Sequence, residues 1–113
     1  MSAAAMIETE LWLSFASMLR SYAAAASLHA GEVHLRSTED SVTISTRAAQ
    51  IELHFDPESG IVTWAKLAEH QAAVRGSFEF VPEGGIRMDG ATKDLDHAAI
   101  DFVASVTAEG KGR

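Results

Sequence analysis

An α+β domain is the fold class this sequence predicts: an antiparallel sheet of five to six strands with N- and C-terminal helices packed on one face. Apolar residues recur at helical spacing from Met6 to Leu28. The middle of the chain alternates with period two between turn residues, and helical spacing returns from Asp94 to Ala108. The resulting order is helix, four strands, short connector, two strands, helix (α-β4-connector-β2-α). It offers no alternation of strand and helix, so the strands are expected to pair antiparallel and the helices to share one layer.

The first helix places Ile7, Leu11, Phe15, Met18, Leu19, Tyr22 and Ala26 within one broad stripe, with Trp12 at its edge. Thr9, Glu10, Ser17, Arg20 and Ser21 fall on the opposite side, and Gly31 is the stop signal beyond the end. Glu32 to Arg36 then puts Val33 and Leu35 on one face of a strand, and Ser41 to Thr46 does the same for Val42 and Ile44. Thr38-Glu39-Asp40 supplies the turn between them. Gln50 to Phe55 sets Ile51, Leu53 and Phe55 opposite Gln50, Glu52 and His54, and Ile61 to Lys66 forms the return strand. Lys66 to Val74 lacks alternation and reads as a short helix or irregular crossover. Ser77 to Val81 is a strand with Phe78 and Phe80 together, Pro82-Glu83-Gly84-Gly85 a turn, and Ile86-Arg87-Met88 a closing strand. The last helix carries Leu95, Ala99, Phe102, Val103 and Val106 on its apolar stripe, with Thr92 or Asp94 as N-cap. Residues 1–5 and 109–113 are expected to be frayed tails of a single domain.

The hairpin Asp56-Pro57-Glu58-Ser59-Gly60 sets the register at the centre. Pro57 pre-sets the φ of the first turn position and Gly60 accepts positive φ at the last. A four-residue loop pairs Asp56 with Ile61, Phe55 with Val62, Leu53 with Trp64 and Ile51 with Lys66. Opposed residues share a face, so this register sends Trp64 and Val62 to the core side; a slip of one residue would turn Trp64 outward beside Glu52 and His54. Burial of a Trp and a Val selects the first register.

The chain of 113 residues is 47% apolar, contains no cysteine, and sets 9 basic against 16 acidic residues for a net charge of −7. One core of ordinary size follows. Disulfides, thiolate metal sites and thiol nucleophiles are excluded, and the composition fits a reducing compartment. With no clustered Lys and Arg, neither nucleic acid nor an anionic membrane surface is an expected partner. The start of the chain lacks a signal-peptide pattern and no segment is apolar for long enough to span a bilayer, so a cytoplasmic location is expected.

Sites are few. Glu52 and His54 project from one face of a strand with His34 on a nearby one, a trio that could ligate a divalent metal through imidazole and carboxylate. The competing reading is a solvated sheet face. Asp94, His97 and Asp101 share a facet of the last helix, where capping accounts for the acids as well as acid–base chemistry does. Trp12, Tyr22 and Trp64 could line a small-molecule pocket between the first helix and the sheet. No nucleophile elbow, phosphate loop or dinucleotide fingerprint is present, and no cofactor is expected.

The stretch Gly76-Ser77-Phe78-Glu79-Phe80 through Leu95-Asp96 and the closing helix is similar in rhythm to the class I type III secretion chaperones, which are acidic α+β homodimers whose strands bind an effector segment. The element order also resembles the frataxins, which enclose an antiparallel sheet between terminal helices and carry an acidic first helix; here that helix has Glu8 and Glu10. The resemblance transfers no site residue. The absence of catalytic signatures, the net charge of −7 and the compact α+β plan favour a small acidic non-catalytic binding or interaction protein, a homodimer with a protein or peptide partner. The alternative, from a different class, is a small-molecule-binding protein or enzyme using the Trp12/Tyr22/Trp64 pocket.

Overall fold

Helix α1 (Ala3–Ala30) opens the chain, seven strands follow, and helix α2 (Leu95–Gly110) closes it, in a computed structural model that describes residues 3–30 and 32–110. The strands are β1 (His34–Ser37), β2 (Ser41–Ser45), β3 (Ala49–Asp56), β4 (Ile61–Ala68), β5 (Val74–Val81), β6 (Gly85–Met88) and β7 (Ala91–Asp94). They form one antiparallel sheet in sequence order, each strand paired with the next. The α+β class and the terminal helices are as the sequence predicts; the sheet has seven strands rather than five or six. Helix covers part of both segments expected as tails. The remainder of those tails, and the Gly31 stop signal, lie outside the described residues.

The additional strand comes from a turn. Asp89 and Gly90 both take positive φ, 54° and 80°, the backbone of a two-residue hairpin whose twist matches that of the flanking strands. This turn folds Ala91–Asp94 back along β6, pairing Ile86 with Lys93 and Arg87 with Thr92. The connector after Lys66 is neither helix nor crossover. Strand β4 continues to Ala68, the chain turns with His70 at a φ of 62°, and β5 begins at Val74.

At the central hairpin the register is the one that four loop residues dictate: Asp56 pairs with Ile61, Phe55 with Val62, Leu53 with Trp64 and Ile51 with Lys66. The loop is held by its own side chains. Asp56 accepts from the Glu58 N–H at 2.9 Å and the Ser59 hydroxyl at 3.0 Å, while Gly60 takes a φ of 74°. Those bonds, the Glu58 N–H foremost, hold the Asp56 carboxyl below its ordinary pKa.

One face of the sheet supports the core. Trp12, Phe15 and Leu19 of α1, with Leu95, Ala99, Phe102 and Val106 of α2, bury against Val42, Ile44, Ile51, Leu53, Phe55, Val62, Phe78, Phe80 and Ile86 of the sheet. Phe15 is the hub, meeting Phe78, Phe80 and Phe102 edge-on with ring centroids 5.5 to 6.1 Å apart. Thr46 ties the β2–β3 turn to α2: its hydroxyl donates to the Val106 carbonyl at 3.3 Å. Glu52, His54 and Thr63 stay exposed on the other face.

Candidate functional site

The interface between α1 and the sheet, where Trp12, Tyr22 and Trp64 were expected to surround a pocket, is packed. Trp12 is 1% exposed and stacks on Phe55 at 5.5 Å with the rings 12° from parallel. Its indole N–H donates to the Glu39 carbonyl at 2.8 Å, which anchors α1 to the β1–β2 turn. Tyr22 bridges the two helices, its hydroxyl donating to Asp96 at 2.9 Å. That bond, aided by the negative charge of Asp96, raises the phenol pKa above its ordinary value. Trp64, the third residue, lines a cavity.

That cavity, of about 260 Å3, lies under α2. Its floor is the inward row of β3, β4 and β5, namely Ile51, Trp64, Lys66 and Val74, joined by Met88 of β6 and Lys93 of β7. Its roof is Ala98, Asp101, Phe102 and Ser105, at helical spacings of three and four on one side of α2. The space arises because small residues face a short row. Ala98 and Ser105 reach little way down from the helix, and beyond Trp64 the inward pair facing the space is Lys66 and Val74 rather than aromatics.

Trp64 is placed by a glycine. Gly76 pairs directly with it across β4 and β5, and a Cβ there would meet the indole Cζ2 at 2.5 Å. The ring therefore lies over bare backbone on β5 and turns its other side edge-on to Phe102, centroids 5.7 Å apart. Packing an aromatic over a strand glycine restores the contact area the glycine lacks. The indole N–H is buried and has no acceptor among the described residues. An unpaired donor of this kind costs about 1–3 kcal/mol.

Charge at the cavity has both signs. Lys66 faces inward between Ile51 and Val74 and is half-buried. Lys93 pairs with Asp101 at the edge, both partly exposed, a pair that contributes little to stability. Lys66 is the residue that sequence reasoning passed over. The same hairpin count that turns Trp64 inward puts Lys66 opposite Ile51, a cation on the core side where an apolar residue is the rule.

Comparisons with protein-family models, curated proteins and solved structures return no match. The likeness to secretion chaperones and frataxins therefore stays one of element order.

The proposed metal trio is not assembled. His34, on β1, stands two strands from Glu52, about 10 Å across the sheet, and pairs with Glu32 at 3.0 Å. His54 lies 3.6 Å from Asp40. Among the described residues no three His, Asp or Glu side chains converge to hold a metal ion. Glu52 and His54 instead border a depression of about 330 Å3 on the outer face, with Arg75 and Thr63. A further one, of about 540 Å3, lies along Arg36, Ser37, Thr38, Ser41 and Thr43. Both are larger than the cavity under α2 and more polar side chains surround them, although Trp64 and Ala65 also border the first.

On the α2 facet, Asp94 is the N-cap: it accepts from the His97 N–H at 2.8 Å, and its carboxylate lies 2.9 Å from the His97 ring. The backbone bond first, then the ring, hold its pKa below the ordinary value. Asp101, seven residues on, is engaged by Lys93 rather than by His97.

Proposed function

We propose that this protein binds a small, mainly apolar molecule between the sheet and α2, as a cytoplasmic carrier or sensor without chemistry of its own. The observation that carries this reading is the cavity of about 260 Å3 walled by Ile51, Trp64, Val74, Met88, Ala98 and Phe102. At ~30 Å3 for each water-sized group, such a space takes a ligand of roughly eight or nine non-hydrogen atoms. Apolar walls with few polar groups are the ordinary make-up of small-molecule sites.

Two-dimensional NMR with 1-octanol tests it. Resonances of the Trp64 indole, Val74 and Phe102 are expected to shift saturably. Ala98→Leu, which fills the cavity from α2, is expected to abolish the shifts while leaving the rest of the spectrum in place. Shifts unaffected by Ala98→Leu, or confined to the outer sheet face, would sink the proposal.

A second reading, association with another copy or with a peptide, has its own support. Met6, Leu13 and Leu28 are 53%, 55% and 82% exposed on α1. The sheet also ends in β1 and β7, each with one unpaired edge. A homodimer or protein partner covering these groups is the form this reading takes.

A further inference from the structure

We propose that the depression on the outer sheet face binds a small zwitterion, a free amino acid whose ammonium meets Glu52 and whose carboxylate meets Arg75. This site is separate from the cavity under α2 and lies on the opposite face of the sheet. Its floor is the half-buried Ala65 of β4, which pairs with Glu52 of β3 on one side and with Arg75 of β5 on the other. An acid and a base thus flank a methyl group in one row, with His54 and Thr63 paired in the row beside it. The space is there because Ala65 is short where both its neighbours are long.

The two charges are available. Two strand spacings separate Glu52 from Arg75, about 10 Å between their Cα atoms. Among the described residues neither side chain forms an ion pair or hydrogen bond. Glu79 and Arg87, directly opposed on β5 and β6, do close on each other. A pair serving the sheet alone would close across Ala65 in the same manner, whereas Glu52 and Arg75 leave the gap open. Arg36, on the same row beyond Thr43, borders the neighbouring depression instead. Net charge narrows the ligand class further. A chain at −7 repels an anion, and a simple cation leaves Arg75 unused. A zwitterion carries no net charge and satisfies both groups. At ~30 Å3 for each water-sized group, the depression of about 330 Å3 holds roughly eleven non-hydrogen atoms, enough for leucine.

Two-dimensional NMR titration of the full chain with leucine, N-acetylleucine and leucinamide, in about 0.15 M salt to screen the overall charge, tests the proposal. Leucine is expected to shift the Thr63, Ala65 and Arg75 amides saturably, with a dissociation constant of about 1 mM. N-Acetylleucine lacks the ammonium and leucinamide lacks the carboxylate; each is expected to bind about fivefold more weakly, the upper end of what an exposed ion pair contributes. Glu52→Gln is expected to erase the advantage of leucine over N-acetylleucine, and Arg75→Gln its advantage over leucinamide. Arg36→Gln and Ala98→Leu are expected to change neither. The same spectra check the fold of each variant. No saturable shift with leucine, or equal affinity for all three probes, overturns the zwitterion. Advantages that survive Glu52→Gln and Arg75→Gln, or that disappear with Arg36→Gln or Ala98→Leu, place the ligand elsewhere and overturn the site. None of these outcomes bears on 1-octanol, so the cavity under α2 stands or falls separately.

Discussion

At the scale of single residues, the clearest dependence is that of Trp64 on Gly76. The hairpin count was enough to turn Trp64 toward the core, because Asp56-Pro57-Glu58-Ser59-Gly60 sets its own length and the alternation does the rest. Gly76 was not legible in the same way. Its meaning comes from lying opposite Trp64 on β5, and nothing local to Arg75-Gly76-Ser77 announces that pairing. Gly76→Ala is expected to push the indole aside, because the new Cβ would stand 2.5 Å from its Cζ2. The cost is about 1–3 kcal/mol, typical of overpacking. Thermal melts should show the loss, and the Trp64 emission should move to the red while buried Trp12 is unaffected. A variant with unchanged melting temperature and emission would mean that the indole does not lie over Gly76. Lys66 is the opposite case: its inward direction was implied by the hairpin register, but its value depends on α2 leaving space above it.

At the scale of elements, turns decided what the strand patterns did not. Ala91-Thr92-Lys93-Asp94 has no apolar alternation, so as a strand it is silent; Asp89-Gly90 before it is the signal, a pair suited to positive φ at both turn positions. Strand β7 brings Lys93 to the cavity and delivers Asp94 to the start of α2. There the cap has a pH signature. The folded pKa of Asp94 lies below its ordinary value of 3.8, so the cap's contribution is complete above that value and is lost as pH falls through the lower folded pKa. Asp94→Ala should therefore melt at lower temperature than the parent at neutral pH, with the gap closing under acid. Melting curves collected from neutral to strongly acidic pH check this; a gap that stays constant through that range would show that the charge of Asp94 does not support the helix.

For the molecule as a whole, α1 is the long element, and the principal extents are 47 × 28 × 24 Å. Its inner side is committed to the core through Trp12, Phe15 and Leu19. Its outer side leaves Met6 and Leu13 exposed, about two turns apart, and Leu28 near the far end. If this side mates with a second copy, sedimentation velocity over a wide concentration range should show mass rising above the 12.1 kDa of the single chain. Leu13→Glu with Leu28→Glu should hold it at that mass. A parent protein that keeps the monomer mass at every concentration removes the homodimer. No helix among the described residues is long and apolar enough to cross a membrane, so these exposed side chains are not part of a helical span.

By itself the sequence determined the α+β class, the terminal helices, the central hairpin and the inward direction of Trp64. Each of these rests on patterns that repeat within a few residues: helical spacing, strand alternation, and a Pro-to-Gly turn. Only the tertiary structure decided where the space lies. The expected pocket under α1 is filled by Trp12 stacked on Phe55 and Phe15 among three other rings, whereas Ala98 and Ser105 of α2 stand above Lys66 and Val74. A cavity is the difference between side-chain volumes contributed by elements far apart in the chain, and no local pattern encodes that difference.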